Sequence, residues 1–127
     1  MAPEVIKGEK YTDASDVYSF GMCLWEMIAK KVPYQGLTFP QITGLVGYNP
    51  EHKVEVPPDC HPVFKKMIED CTQYDAQLRP TFKDIMSDLK KSKTELQKQA
   101  FIVKELEAFF GKYEKEADEV YWEKKNR

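Results

Sequence analysis

The chain has 127 residues, 42% hydrophobic and 31% charged, which excludes wholesale disorder and allows one domain or one domain with an extension. Its 19 basic and 21 acidic side chains leave a formal charge of -2, so nothing in the composition points to nucleic acid or to an anionic membrane.

Pro3 at a first helical turn, followed by Glu4-Val5-Ile6 and then Gly8, predicts a short helix with a glycine stop. The next element organises the rest. From Asp16 to Lys30, one helical face carries Val17, Phe20, Leu24, Met27 and Ile28, and another carries Tyr18, Met22, Trp25 and Ala29. A helix apolar nearly all round is surrounded by protein or lipid. This one is too short for a membrane span and contains Asp16 and Glu26, so it predicts a buried central helix. Thr12, Asp13, Ser15 and Asp16 offer capping oxygens, and Lys30, Lys31 and Pro33 mark its end. Gly21 in mid-helix costs about 1 kcal/mol against alanine, which predicts a close neighbour there.

Pro33-Tyr34-Gln35-Gly36 reads as a turn. Thr38 and Pro40 open a short helix carrying Ile42, Leu45 and Val46 and closing near Gly47. Residues 49–59 read as loop. His61-Pro62 starts a helix with Phe64, Met67, Ile68 and Cys71 at helical spacing, and residues 72–79 turn the chain. Thr81 with Asp84 resembles a capping box ahead of Phe82, Ile85, Met86 and Leu89. No segment alternates as a strand, so a mainly α fold is expected.

Beyond Lys90 the texture changes to dense alternating charge. Leu89, Leu96, Val103, Phe110 and Ala117 lie seven apart, with Gln99, Leu106, Tyr113 and Val120 between them, an a/d pattern over about four heptads. Two readings stay open: an amphipathic helix packed on its own domain, or a self-pairing coiled coil. Bulky Phe110 and Tyr113 weigh against a tight two-stranded seam.

The three cysteines are odd in number and irregular in spacing, and Cys23 and Cys71 sit in apolar helical patterns, which predicts buried reduced thiols in a cytoplasmic protein. A zinc set of His52, Cys60, His61 and Cys71 has no supporting ligand spacing. Met1-Ala-Pro-Glu lacks the basic and apolar regions of a secretory leader.

Met1-Ala2-Pro3-Glu4, Ser15-Asp16-Val17-Tyr18-Ser19-Phe20-Gly21, Leu24-Trp25-Glu26 and Arg79-Pro80-Thr81-Phe82, in that order and spacing, resemble a eukaryotic protein kinase, with wording closest to the tyrosine-kinase-like group of serine/threonine kinases. The resemblance spans residues 1–90 and implies part of the large helical lobe, built around the buried central helix. Residues 91–127 are then a charged helical extension. It further implies a buried ion pair of Glu4 with Arg79, which unaided reading would leave as a solvated loop arginine. It implies that Asp16 holds the backbone of the catalytic loop, and that Cys23 and Met27 anchor the hydrophobic column beneath the adenine. Glu26 matches a position that faces basic substrate residues in some kinases, although its interior placement favours a partly buried structural carboxylate. Two departures are Thr72, where relatives carry tryptophan, and Asp75-Ala76 in place of Asp-Pro.

Phosphoryl transfer needs a lysine on the phosphates, magnesium ligands and a carboxylate at the attacking hydroxyl. Kinases supply these from a glycine-rich loop and Val-Ala-Ile-Lys, His-Arg-Asp and Asp-Phe-Gly segments, none of which occurs here. No catalytic, cofactor or metal residue is therefore expected in this chain; ATP and magnesium would belong to a full-length parent. The expected partners are protein, either the missing kinase segments or a second copy, with no nucleic acid and no membrane. The other reading is a non-catalytic interaction module, a kinase remnant or pseudokinase piece, pairing through the central helix and tail.

Overall fold

The structure, a computed structural model, describes residues 1–93, 102 and 104–113. Two compact units divide the chain, Met1–Ile85 and Met86–Arg127. Among the described residues there is no strand, and no helix is long and apolar enough to cross a membrane.

The first unit is a stack of helices on one long helix. Helix α1 spans Pro3–Ile6. Helix α2 spans Asp13–Ala29, starting three residues earlier than the apolar run, because Thr12 and Ser15 close its first turn. The Thr12 N–H donates to Ser15 Oγ at 3.2 Å and the Ser15 N–H donates back to the Thr12 carbonyl at 2.9 Å. Its last turn ends on Lys30 in left-handed backbone, φ 56°, the conformation that turns a chain out of a helix. Helix α3 spans Phe39–Ile42 behind a reciprocal Thr38/Gln41 cap and continues as a π turn over Thr43–Gly47.

Helix α4, Pro62–Cys71, is capped by the His61 ring, whose Nδ1 accepts from the Val63 N–H at 3.2 Å. A 3-10 turn over Ala76–Leu78 leads to helix α5, Phe82–Ser92. The Thr81/Asp84 box is formed in both directions, at 3.4 and 3.1 Å.

The core lies where α2 meets α4. Val17 and Leu24 from α2 and Phe64, Ile68 and Cys71 from α4 are almost fully buried. Gly21 is what lets the two axes approach. A Cβ added there would lie 2.8 Å from both Cys71 Cβ and Thr72 Cγ2. A second cluster gathers Ala2, Tyr18 and Val46, so α1 and the π turn share the other side of α2.

The second unit, as far as it is described, pairs the end of α5 with a helical stretch over 104–113. Leu89, Leu106 and Phe110 are buried within the chain and Tyr113 is exposed, while Lys93 Nζ sits 2.9 Å from Glu107 Oε1. The seam positions Leu96, Gln99, Val103, Ala117 and Val120, and with them the coiled-coil reading, lie outside the described residues.

Candidate functional site: the Glu4–Arg79 knot and the outer stripe of the central helix

Glu4 in α1 and Arg79 after the 3-10 turn are 75 positions apart in sequence and in direct contact in space. Arg79 Nη1 donates to Glu4 Oε1 at 2.6 Å and Nη2 to Oε2 at 3.1 Å, the parallel two-bond geometry that a guanidinium and a carboxylate favour. The remaining donors go to backbone. Nε donates to the Gln73 carbonyl at 2.7 Å, Nη1 to that of Ala14 at 2.9 Å, and Nη2 to that of Tyr74 at 3.1 Å. All five N–H bonds of the guanidinium are thus used, and its Cζ lies 5.0 Å from the centroid of the Tyr18 ring. The Arg79 side chain is fully buried and that of Glu4 is 11% exposed. A solvated arginine would make none of these contacts, so the loop position is structural. Departing Asp75-Ala76 leaves the loop intact, because Asp75 Oδ1 accepts from the Gln77 N–H at 2.9 Å. Thr72 replaces a large ring with a hydroxyl that donates to the Ile68 carbonyl at 2.6 Å, closing α4, and a methyl packed on Gly21.

The structure corrects the expectation that α2 is enclosed on nearly all sides. Val17, Tyr18, Phe20, Leu24 and Trp25 are buried, but Asp16, Ser19, Cys23 and Glu26 are exposed. Those four positions follow spacings of three, four and three, which puts them on one stripe of the helix. Glu26 is therefore an open carboxylate rather than a partly buried structural one. Cys23 is exposed, not a buried thiol, although partial desolvation and then the Glu26 charge raise its pKa. Met27 is half-buried. Asp16 stands at the first turn with the Tyr11 hydroxyl donating to its Oδ1.

Beside this stripe runs a groove of about 380 Å³, walled by Met22, Cys23 and Glu26 on one side and Phe39, Ile42 and Val46 on the other. Phe39 is 71% exposed, a large apolar side chain left without a cover.

The other sulfur and imidazole groups are dispersed. Cys71 is buried between α2 and α4, where desolvation pushes its thiol up to about 12. His61 caps α4, and His52 Nε2 is 2.9 Å from the Tyr34 hydroxyl. Among the described residues no three potential ligands gather around a common point, so the zinc set is not assembled. All three cysteines are free. The Tyr34–His52 pair, 18 residues apart, and the bond from Trp25 Nε1 to the Glu55 carbonyl, 30 residues apart, have no local sequence signal.

Known proteins match the same stretch. The family model for protein tyrosine and serine/threonine kinases aligns with residues 1–89. Similar proteins include the probable serine/threonine-protein kinase drkC of Dictyostelium discoideum, 40% identical over 90 residues that make up 69% of this chain and 12% of that protein. The probable serine/threonine-protein kinase SIS8 of Arabidopsis thaliana is 36% identical over 91 residues, 72% of this chain and 9% of its own length. Human mitogen-activated protein kinase kinase kinase 11 is 37% identical over 89 residues, 70% of this chain and 10% of its own. The chain spans roughly a tenth of the length of these relatives.

Proposed function

This chain belongs to the protein tyrosine and serine/threonine kinase family, and from that membership we propose that it is the lower part of the large lobe of a serine/threonine kinase of the tyrosine-kinase-like group. The parent would transfer the γ-phosphoryl group of ATP to protein serine or threonine. Residues 1–90 would supply structural support for that reaction, and residues 91–127 a helical extension.

The observation that carries this reading is the Glu4–Arg79 pair. It ties the Ala-Pro-Glu turn to the loop before α5 through a guanidinium with no spare donor. The exposed stripe of α2 supports it independently. Asp16, Cys23 and Met27 would meet the catalytic loop and the hydrophobic column contributed by the rest of the parent, and Glu26 would face the substrate path. Missing kinase segments are the partner that best fits an apolar groove beside a polar stripe with a carboxylate at each end, and in their absence self-association would cover it.

ATP and magnesium belong, in this reading, to the parent's other segments. What supports this is the sequence, in which the phosphate-cradling and magnesium-ligating motifs of kinases do not occur. Free thiols at Cys23, Cys60 and Cys71 support a reducing, cytoplasmic setting.

The test joins the chain in frame to kinase segments carrying the glycine-rich loop, His-Arg-Asp and Asp-Phe-Gly motifs. The chain alone should show no magnesium-dependent phosphotransfer, and the joined protein should phosphorylate a serine/threonine substrate and lose that activity on Asp16→Ala. Activity from the 127 residues alone, or indifference to Asp16→Ala, would refute the assignment.

A further inference from the structure

A second cleft shares Pro33 and Tyr34 of the α2–α3 connection with the groove described above. Its volume is about 610 Å³, within the range of small-molecule sites. One wall is Trp25, fixed by the 2.7 Å bond from its Nε1 to the Glu55 carbonyl. Another is Tyr34, whose ring lies 5.6 Å from that of His52 and whose hydroxyl is bonded to His52 Nε2. Val32, Leu45 and Val54 add apolar surface, and Lys31 and Lys53 stand at the rim.

Three features mark the cleft as more than a gap between loops. Tyr34 holds left-handed backbone at φ 58°, a conformation that residues other than glycine and asparagine rarely take. Lys30 is also left-handed, but there the helix end explains it; at Tyr34 the result is a ring turned onto His52. Second, the walls are cross-braced, since Trp25 is tied to residue 55 and Tyr34 to residue 52, so the cleft is preformed. Third, its lysines outnumber its carboxylates, two to one. Neither lysine has a carboxylate partner among the described residues. Burial lowers the His52 pKa, leaving the ring neutral at pH 7. Glu55 is the one carboxylate among the lining residues; its backbone oxygen accepts from Trp25, and its exposed side chain still sets one negative charge against the two ammonium groups.

We propose that this cleft binds a small planar aromatic carboxylate, with the ring against Tyr34 and the small exposed part of Trp25 and the carboxylate at Lys31 and Lys53. Aromatic walls favour a flat ring by offset or edge contact. Two unpaired ammonium groups beside a neutral imidazole select an anion over a neutral or cationic analogue. The assignment rests on local geometry alone and does not depend on the kinase reading.

Three probes with one ring system separate shape from charge: 1-naphthoate, 1-naphthalenemethanol and 1-naphthylmethylammonium. Each is titrated into the full ¹⁵N-labelled chain while the Trp25 indole N–H and the amides of 31, 32, 34–36 and 52–55 are followed. Naphthoate should shift those signals with a dissociation constant on the order of 0.1–1 mM, as expected for a ligand of about a dozen heavy atoms. The alcohol should bind about tenfold more weakly, and the ammonium compound should leave the signals unmoved. Lys31→Gln with Lys53→Gln, both exposed and harmless to folding, should weaken naphthoate about tenfold. Equal binding of acid and alcohol, shifts centred elsewhere, or no shift at about 5 mM naphthoate would each overturn the proposal.

Discussion

Removing the carboxylate of Glu4 tests the physical core of the structure most directly. Glu4→Ala takes away two charge-assisted bonds, at 2.6 and 3.1 Å, and leaves a guanidinium with a fully buried side chain and no counter-charge. Such a change costs about 3–5 kcal/mol, because the orphaned ion cannot recover its hydration. An 85-residue unit holds about 4–13 kcal/mol in total, so the variant should lie near or beyond the edge of folding. Arg79→Met should cost at least as much. It strands the carbonyls of Gln73, Ala14 and Tyr74 as well as the Glu4 carboxylate, and an unpaired buried acceptor costs about 1–3 kcal/mol. Arg79→Lys should not rescue, since three donors on one nitrogen cannot reach five acceptors spread around a plane. Urea unfolding followed by far-UV circular dichroism gives the numbers, and a midpoint shift at unchanged slope isolates stability. In thermal scans each variant should lose at least about 12 °C. A loss below about 1 kcal/mol for either Glu4→Ala or Arg79→Met would show that the pair is not desolvated and would refute the reasoning.

Gly21→Ala should destabilise by about 1–3 kcal/mol despite alanine's better helix propensity, because its methyl would meet Cys71 Cβ and Thr72 Cγ2 at 2.8 Å, whereas Gly44→Ala enters open space and should stabilise by up to about 1 kcal/mol in the same urea assay. Iodoacetamide labelling read by mass spectrometry should modify exposed Cys23 in the folded chain and spare Cys71 until unfolding; equal rates at the two would contradict the packing of α4. His52 has a folded pKa below its ordinary 6.5, so the unfolded chain binds the proton more readily. Stability should therefore be complete above pH 6.5, fall as pH drops through the window between the two values, and level off below it, with His52→Gln abolishing the slope. Sedimentation at tens of micromolar should show self-association that Met22→Lys with Phe39→Lys reduces, and a monodisperse monomer of the unaltered chain would count against an uncovered groove on α2.

Much of the first unit is legible from local pattern. The apolar run of α2, the turn at 33–36, the His61-Pro62 start and the Thr81/Asp84 box all depend on contacts within a few residues, which spacing encodes directly. Gly21 is legible for a different reason: a costly residue in mid-helix implies a neighbour, and Cys71 is there. The enclosure of α2 is misread because apolar residues dominate a count, while Asp16, Ser19, Cys23 and Glu26 mark a stripe only when taken as positions on a wheel. The π turn at Thr43–Gly47 has no local signal. It is set from outside, by the Tyr74 hydroxyl donating to the Gly47 carbonyl at 2.8 Å and by Ile6 against the Gly47 α-carbon. Glu4 with Arg79 is legible only through family resemblance, since nothing in a solvent-type loop sequence announces a buried cation.

The knot and the stripe are one device rather than two. Arg79 Nη1 bonds the carbonyl of Ala14, two residues before Asp16 in the same first turn of α2. The position of the Asp16 carboxylate is thereby set from both ends: by the Tyr11 hydroxyl on its Oδ1 and by a guanidinium anchored to α1. If Asp16 holds the catalytic loop of a parent kinase, loss of Glu4 should lower turnover before it lowers ATP affinity, because the helix end would shift while the phosphate-binding segments stay put. A parent carrying Glu4→Gln, assayed below its unfolding temperature, should show reduced kcat with an unchanged KM for ATP. An equal rise in KM would place the damage in the nucleotide site and separate Arg79 from Asp16.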